Sequence, residues 1–65
     1  MEAYYFKSST MLCVVKDERG CLWLMNVIPP ACIVPWPYSA DGLERMPLVC
    51  ETVTIHAFKT GRVPL

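Results

Sequence analysis

The side chains in this sequence best suited to chemistry belong to four cysteines and one histidine. Cys13, Cys21, Cys32, Cys50 and His56 are all residue types that bind zinc. Structural zinc sites use pairs of ligands roughly two to four residues apart, whereas Cys13 and Cys21, the closest pair here, are eight apart. The spacing therefore predicts no metal site, and no other feature of the sequence indicates a cofactor.

A catalytic pair of cysteine and histidine would have to involve His56, because the sequence has no second histidine. Cys50 falls in the same predicted strand as His56, where about 20 Å of extended chain would separate the two side chains. Asp17 and Glu18 fall in a predicted turn and Asp41 and Glu44 at a predicted helix start, which already accounts for them. The three glycines are isolated rather than grouped in a phosphate-binding loop. We therefore expect that the protein is not an enzyme.

The cysteines also bear on the compartment. Glu2 stands where a secretory signal has basic residues, and the apolar runs 11–15 and 21–28 are much shorter than the roughly 20 residues that cross a bilayer. We therefore expect a cytoplasmic protein with reduced thiols, although a disulfide framework with any of several pairings remains the alternative. Three cysteines have aliphatic neighbours typical of small core residues, namely Cys13, Cys32 and Cys50.

Composition and charge limit the classes of partner. Hydrophobic residues make up 54% of the 65 residues and charged residues 18%. This composition predicts that residues 1–65 form one packed domain and that some apolar surface is left for a partner. The six basic and six acidic residues cancel and are mixed along the chain. A nucleic-acid partner is therefore less favoured than a protein, because no basic surface for a phosphate backbone is visible.

Aromatic residues are the best candidates for a contact site, because large amphipathic rings dominate the energetics of interfaces. Trp36 is held between Pro35 and Pro37 and would lose little entropy on binding, so Trp36 and Tyr38 are the first choice. The other predicted contact residues are Tyr5, Arg19 and Trp23, although Trp23 also suits the core.

The elements that must position these residues are mainly strands, and the clearest of them form a hairpin. Residues 11–16 and 21–28 flank a turn in which Asp17 and Gly20 occupy the first and fourth positions. The predicted pairs are Val15 with Trp23, Cys13 with Met25, and Val14 with Leu24. Both faces of this hairpin are apolar, which predicts that it lies at the centre of a sandwich or a curled barrel, or at an interface.

The remaining elements are shorter. Residues 3–7 and 31–34 suit strands, and Pro29 and Pro30 should end the second strand of the hairpin. Asp41 and Glu44 resemble a capping box, which predicts a short helix or 3₁₀ turn near residues 41–46. Residues 48–58 are rich in β-branched side chains with an alternating pattern, which predicts another strand. A turn over residues 59–62 and an edge segment or tail over 63–65 would complete the chain.

These elements predict a mainly β fold, either a small SH3-like barrel or a strongly bent antiparallel sheet, with a helix packed on an antiparallel sheet as the alternative. The expected function is binding of a protein partner through an apolar and aromatic surface, as in an accessory or inhibitory protein of a phage or bacterium. Two alternatives remain: stacking of single-stranded nucleic acid on a small barrel, and a structural subunit that self-associates into a homo-oligomer through strand edges.

Overall fold

The computed structural model describes residues 1–26 and 32–61. Five strands form one antiparallel sheet, and a helix follows them in the chain. The strands are β1 (Glu2–Phe6), β2 (Ser9–Lys16), β3 (Leu22–Asn26), β4 (Ile33–Pro35) and β5 (Glu44–Arg45), and the helix is α1 (Leu48–Thr60). The predicted strand end at Pro29 and the predicted segment 63–65 lie outside the described residues.

The hairpin of β2 and β3 has the predicted register. Val15 pairs with Trp23, Cys13 with Met25, and Val14 with Leu24. The turn forms because the Asp17 carboxylate accepts hydrogen bonds from the backbone N–H groups of Arg19 and Cys21, each at 2.9 Å, while Gly20 adopts a left-handed φ of 86°. Among the described residues, β2 and β3 lie inside one open sheet of order β4-β3-β2-β1-β5, so the hairpin is not an edge element, but the predicted sandwich or curled barrel around it is not formed.

The strand predicted over residues 48–58 is wrong, because these residues form α1. Pro47 precedes the helix and Gly61 ends it with a left-handed φ of 67°. Four residues at the helical spacing i, i+3, i+4, i+7 are buried or half-buried, namely Glu51, Thr54, Ile55 and Phe58. Tertiary burial of this stripe outweighs the weak strand preference of the β-branched residues, as packing commonly does.

The short helix predicted near residues 41–46 is also wrong. Asp41 and Gly42 lie in a turn, and Glu44 and Arg45 form β5. The ladder of β1 explains this, because Tyr4 and Tyr5 pair with Arg45 and Glu44 and so draw this stretch into the sheet. The acidic spacing that resembles a capping box therefore has no helix to cap.

The sheet is open, so of the predicted forms the closed SH3-like barrel is not formed, although the mainly β fold class is confirmed. The two edge strands, β4 and β5, have only three and two residues, and they lie at opposite sides of the sheet. Pro35 removes a backbone donor from the β4 edge, and β5 carries two charged residues. Short, proline-containing or charged edges are poor templates for pairing with another strand.

Both faces of the sheet are covered over its centre. Cys13 and Met25 pack against Ala57 of α1 on one face. Val14 projects to the opposite face by strand alternation and is fully buried as well. Because β4 and β5 lie at opposite edges of the sheet, the connection between them must cross it. Trp36 in this connection contacts Phe6 of β1, so we place the connection over the second face.

A carboxylate ties α1 to the edge of β1. Glu51 accepts a 2.9 Å hydrogen bond from the Ala3 N–H and two hydrogen bonds from the guanidinium of Arg45, which also contacts Glu2. The Arg45 guanidinium, together with the Ala3 N–H, lowers the pKa of Glu51 to about 2. This side chain satisfies a strand donor that the two-residue β5 is too short to reach.

No helix among residues 1–26 and 32–61 combines the length and the apolar character needed to span a membrane.

Candidate functional site

Three aromatic rings form a cluster on the sheet face opposite α1. Phe6 and Trp36 meet edge to face with their centroids 5.7 Å apart, and Trp36 meets Tyr38 in the same manner at 4.9 Å. Trp36 is half-buried, whereas 66% of Tyr38 is exposed. We call Phe6, Trp36 and Tyr38 the aromatic cluster.

The backbone around Trp36 fixes the position of these rings. The Trp36 N–H donates a 2.9 Å hydrogen bond to the Leu22 carbonyl, so Trp36 continues the pairing of β4 with β3. Pro35 and Pro37 restrict the backbone on both sides of it. The cluster is therefore positioned before any partner binds.

An apolar groove of about 400 Å³ lies at the end of the sheet where β1 turns into β2. It runs between this turn and the first turn of α1, and Phe6 belongs both to the groove and to the aromatic cluster. Its lining consists of Tyr5, Phe6, Lys7, Ser9, Leu12, Cys13, Met46, Pro47 and Cys50. The aromatic cluster and the groove therefore adjoin at Phe6.

An irregularity in β2 shapes the groove. Tyr5 pairs with Cys13, but the next residue, Phe6, pairs with Ser9, so residues 10–12 have no partner on β1. Met11 and Leu12 are exposed in this bulge. Bulges redirect side chains and are common beside binding sites, and this one places Leu12 at the groove.

The groove carries little net charge. Lys7 and Glu44 form an ion pair at 3.0 Å at its border, and Glu44 raises the pKa of Lys7. Because this cation is already paired with a carboxylate, the groove offers no positive track for a phosphate backbone. An apolar group fits this surface better than an anion does.

The first half of α1 presents further apolar surface. Leu48 is 77% exposed, Val49 is 78% exposed and Val53 is 48% exposed. Cys50, which lines the groove, is also exposed and connects the groove to this part of the helix. The sequence pattern does not reveal this surface, because it predicts a strand with one buried face over these residues.

The predicted contact residues do not all come together. Trp36 and Tyr38 lie in the aromatic cluster, and Tyr5 lines the groove. Trp23 is half-buried, and its ring centroid lies 6.3 Å from that of Phe58. Its indole N–H donates a 3.0 Å hydrogen bond to the Asp17 carboxylate, so Trp23 has a structural role. Arg19 lies in the hairpin turn beside Asp17 and Glu18, away from the groove.

Phe6, Leu12 and Met46 complete the surface but were not among the predicted contact residues. The register shift that brings Leu12 to the groove has no clear sequence signal. Met46 falls in the predicted helix that does not form, so the sequence does not predict its position at the groove beside Pro47.

The thiols differ in their environments. All four are free, and only Cys13 is buried, so the expectation of a core role is wrong for Cys32 and Cys50, which are exposed where β4 and α1 begin. Burial raises the pKa of the Cys13 thiol to about 11, and its Sγ contacts the Met25 carbonyl at 3.7 Å. Cys50 and His56 are six residues apart on a helix, about 9 Å along its axis, and point to different sides.

Within the described ranges, no three Cys, His, Asp or Glu side chains are arranged so that they could hold a metal ion. Comparison with protein families, with curated proteins and with solved structures found no match to this chain. The site is therefore interpreted from its own geometry.

Proposed function

We propose that this chain is a non-enzymatic domain that binds a protein partner through the aromatic cluster and the adjoining groove. The observation that carries the proposal is the exposure of Tyr38. Its side chain is 66% exposed, although its ring centroid lies 4.9 Å from that of Trp36. A large exposed ring held in place by neighbouring groups is the kind of anchor that dominates the energetics of protein interfaces.

The surroundings of Tyr38 support the same interpretation. Trp36 is braced by two prolines and hydrogen-bonded to β3, so the partner would meet a surface that needs little ordering. The groove continues the apolar surface past Phe6 to Leu12 and Met46. A pocket of about 400 Å³ accepts one or two apolar side chains of a partner.

The other two functions considered from the sequence fit this surface less well. Stacking of single-stranded nucleic acid requires a positive groove beside the rings, and here the bordering Lys7 is paired with Glu44. Assembly through strand edges requires long unpaired edges, and the sheet ends in a three-residue strand with Pro35 and a two-residue charged strand.

The test uses the full chain as bait in extracts of its native host, in three forms: wild type, Tyr38→Ala and Tyr38→Phe. We expect one protein to be enriched by wild type and by Tyr38→Phe but not by Tyr38→Ala, because the ring, rather than the hydroxyl, supplies the apolar contact. With that protein purified, calorimetry should show that Tyr38→Ala weakens binding by more than about 1 kcal/mol.

Glu18→Ala, a change in the exposed hairpin turn far from the groove, serves as the distant control and should leave affinity unchanged. The affinity should also be nearly constant between low and high salt, since apolar contacts are not screened. Equal capture by all baits, or an affinity for single-stranded nucleic acid that falls steeply with salt, would refute the proposal.

A further inference from the structure

Three sulfur-containing side chains line the groove. They belong to Cys13 of β2, Cys50 of α1 and Met46, which precedes the helix. The proposed function uses the groove as an apolar surface and gives these sulfur atoms no role. We propose that Cys13, Cys50 and Met46, which we call the sulfur site, bind one monovalent soft metal ion of the Cu(I) class.

The packing of α1 on the sheet brings the three sulfur atoms together. Cys50, Thr54 and Ala57 have the helical spacing i, i+4, i+7 and so lie on one side of the helix. Ala57 packs against Cys13, and the Thr54 hydroxyl donates a 3.3 Å hydrogen bond to the Met46 sulfur. Met46 also packs against the core cluster that contains Cys13. The other two sulfur atoms are therefore held within about two helical turns of Cys50.

The types of ligand select the class of ion. Thiolates and thioethers are soft ligands that favour Cu(I), whereas Zn²⁺, Mg²⁺ and Ca²⁺ take their ligands from imidazole, carboxylate, carbonyl and thiolate groups. Among the described residues, no Asp, Glu or His side chain lines the groove. Spacing along the chain did not predict this site, because its ligands come from separate elements and one of them is a methionine.

Binding exchanges protons for the metal without a change of oxidation state. The S–H bonds of Cys13 and Cys50 break, two Cu–S bonds form, and two protons leave to solvent. The Met46 sulfur adds a lone pair, while its other lone pair accepts the Thr54 hydrogen bond. The Cys13 thiol gives up only a long contact with the Met25 carbonyl, at 3.7 Å.

The three ligands differ in their freedom to move. Cys13 is fixed in the core with 2% of its surface exposed, whereas Cys50 is exposed and Met46 is half-buried. The methionine side chain is unbranched and has three rotatable bonds, so its sulfur adapts readily to a new position. The ion therefore draws two movable ligands toward one that the core holds in place. The exposed Cys50 keeps one side of the complex, which carries one net negative charge, close to water.

The test measures the Cu(I) affinity of the full chain, under reducing and oxygen-free conditions, by competition with a chromogenic Cu(I) chelator. Wild type should bind one equivalent. Replacing a residue that only orients a metal ligand typically costs about 10–100-fold in affinity, so Cys50→Ser, which removes a ligand, should cost at least about 100-fold. Met46→Leu keeps the apolar contacts but removes the thioether, and it should cost at least about 10-fold.

Cys32→Ser and Met11→Leu are the matched controls, because both side chains are exposed and neither lines the groove. Each should leave the Cu(I) affinity unchanged, and so should Tyr38→Ala, since Tyr38 does not line the groove. The affinity for Cu(I) is measured without a protein partner, so it is independent of the capture experiment with Tyr38 variants.

X-ray absorption of the Cu(I)-loaded wild type tests the role of Cys13 without replacing a buried side chain. The spectrum should show three sulfur neighbours of copper and no nitrogen or oxygen neighbour. Circular dichroism establishes that each variant is folded. A wild type that does not compete with the chelator overturns the proposal. So do a folded Cys50→Ser with the affinity of Cys32→Ser, or a copper centre with nitrogen or oxygen neighbours.

Discussion

Single residues decide much of the local geometry of this molecule. Asp17 accepts two backbone hydrogen bonds within the turn and the indole N–H of Trp23, and the bond from Trp23 is the main reason that the pKa of Asp17 is lowered. The sequence predicted this turn because Asp and Gly have specific roles at its first and fourth positions. It did not predict that Trp23 would be held by Asp17, because that bond depends on which way a large side chain turns after the strand begins.

The cysteines provide a prediction at the same scale. Cys13 is buried with a pKa raised to about 11, whereas Cys21 and Cys32 are exposed. Since the thiolate is the reactive form, a maleimide at neutral pH should modify Cys21 and Cys32 of the native protein and leave Cys13 unmodified. Peptide mass spectrometry measures this directly. Labelling in denaturant should include Cys13, and native labelling of Cys13 at the rate of Cys21 would contradict its burial.

At the scale of elements, the β2–β3 hairpin was predicted to the register and α1 was not. The hairpin is fixed by local turn chemistry, which a sequence displays openly. Residues 48–58 contain both an alternating pattern and the helical spacing of Glu51, Thr54, Ile55 and Phe58, and only the apolar sheet face that needs covering decides between them. The proline before the helix and Gly61 after it were the local signals that favoured a helix.

The hydrogen bonds of Glu51 to Ala3 and Arg45, which we call the Glu51 clamp, predict that the stability of the fold depends on pH in acid. The pKa of Glu51 is lowered from 4.5 to about 2 in the folded protein, so between these values the unfolded chain binds more protons. The contribution of Glu51 is therefore complete above about pH 5 and is lost as the pH falls toward 2. Thermal melts at several pH values should show the melting temperature falling over this interval.

Glu51→Gln should lower the melting temperature at pH 7 and reduce its decline in acid, because an amide does not titrate. Glu18→Gln, in the exposed hairpin turn, should keep the pH profile of the wild type. Identical profiles for wild type and Glu51→Gln would mean that the clamp does not stabilise the fold.

At the scale of the whole molecule, the structure exposes apolar side chains, as the composition predicts, but mostly at other positions than the hairpin of β2 and β3. The hairpin of β2 and β3 is apolar on both faces, and α1 covers one of them. The contact between Trp36 and Phe6 indicates that the connection from β4 to β5 covers the other. Most of the large apolar side chains that are exposed lie instead in the first half of α1, in the bulge of β2 and at Tyr38. Sequence pattern alone could count the apolar residues but could not locate the exposed ones.

The small core makes one methionine pair informative. Met25 is fully buried against Cys13 and Ala57, whereas Met11 is exposed in the bulge. Met25→Ala should cost about 2–5 kcal/mol of unfolding free energy, a large part of the roughly 3–10 kcal/mol expected for a chain of this length. Met11→Ala should change it by less than about 0.5 kcal/mol. Urea denaturation measures both, and equal effects would place the core elsewhere.

The contact between Ala3 and Glu51, which joins residues near opposite ends of the chain, has a consequence for synthesis on the ribosome. The four-stranded meander emerges first, and the cover for Met25 arrives only with Phe58, 33 residues later. At about 5–20 residues per second this delay lasts about 2–7 s. During that interval the nascent chain exposes an apolar sheet face of the kind that chaperones bind. The yield of this protein in cells should therefore depend on chaperones more than the yield of a fold whose core is closed by neighbouring segments.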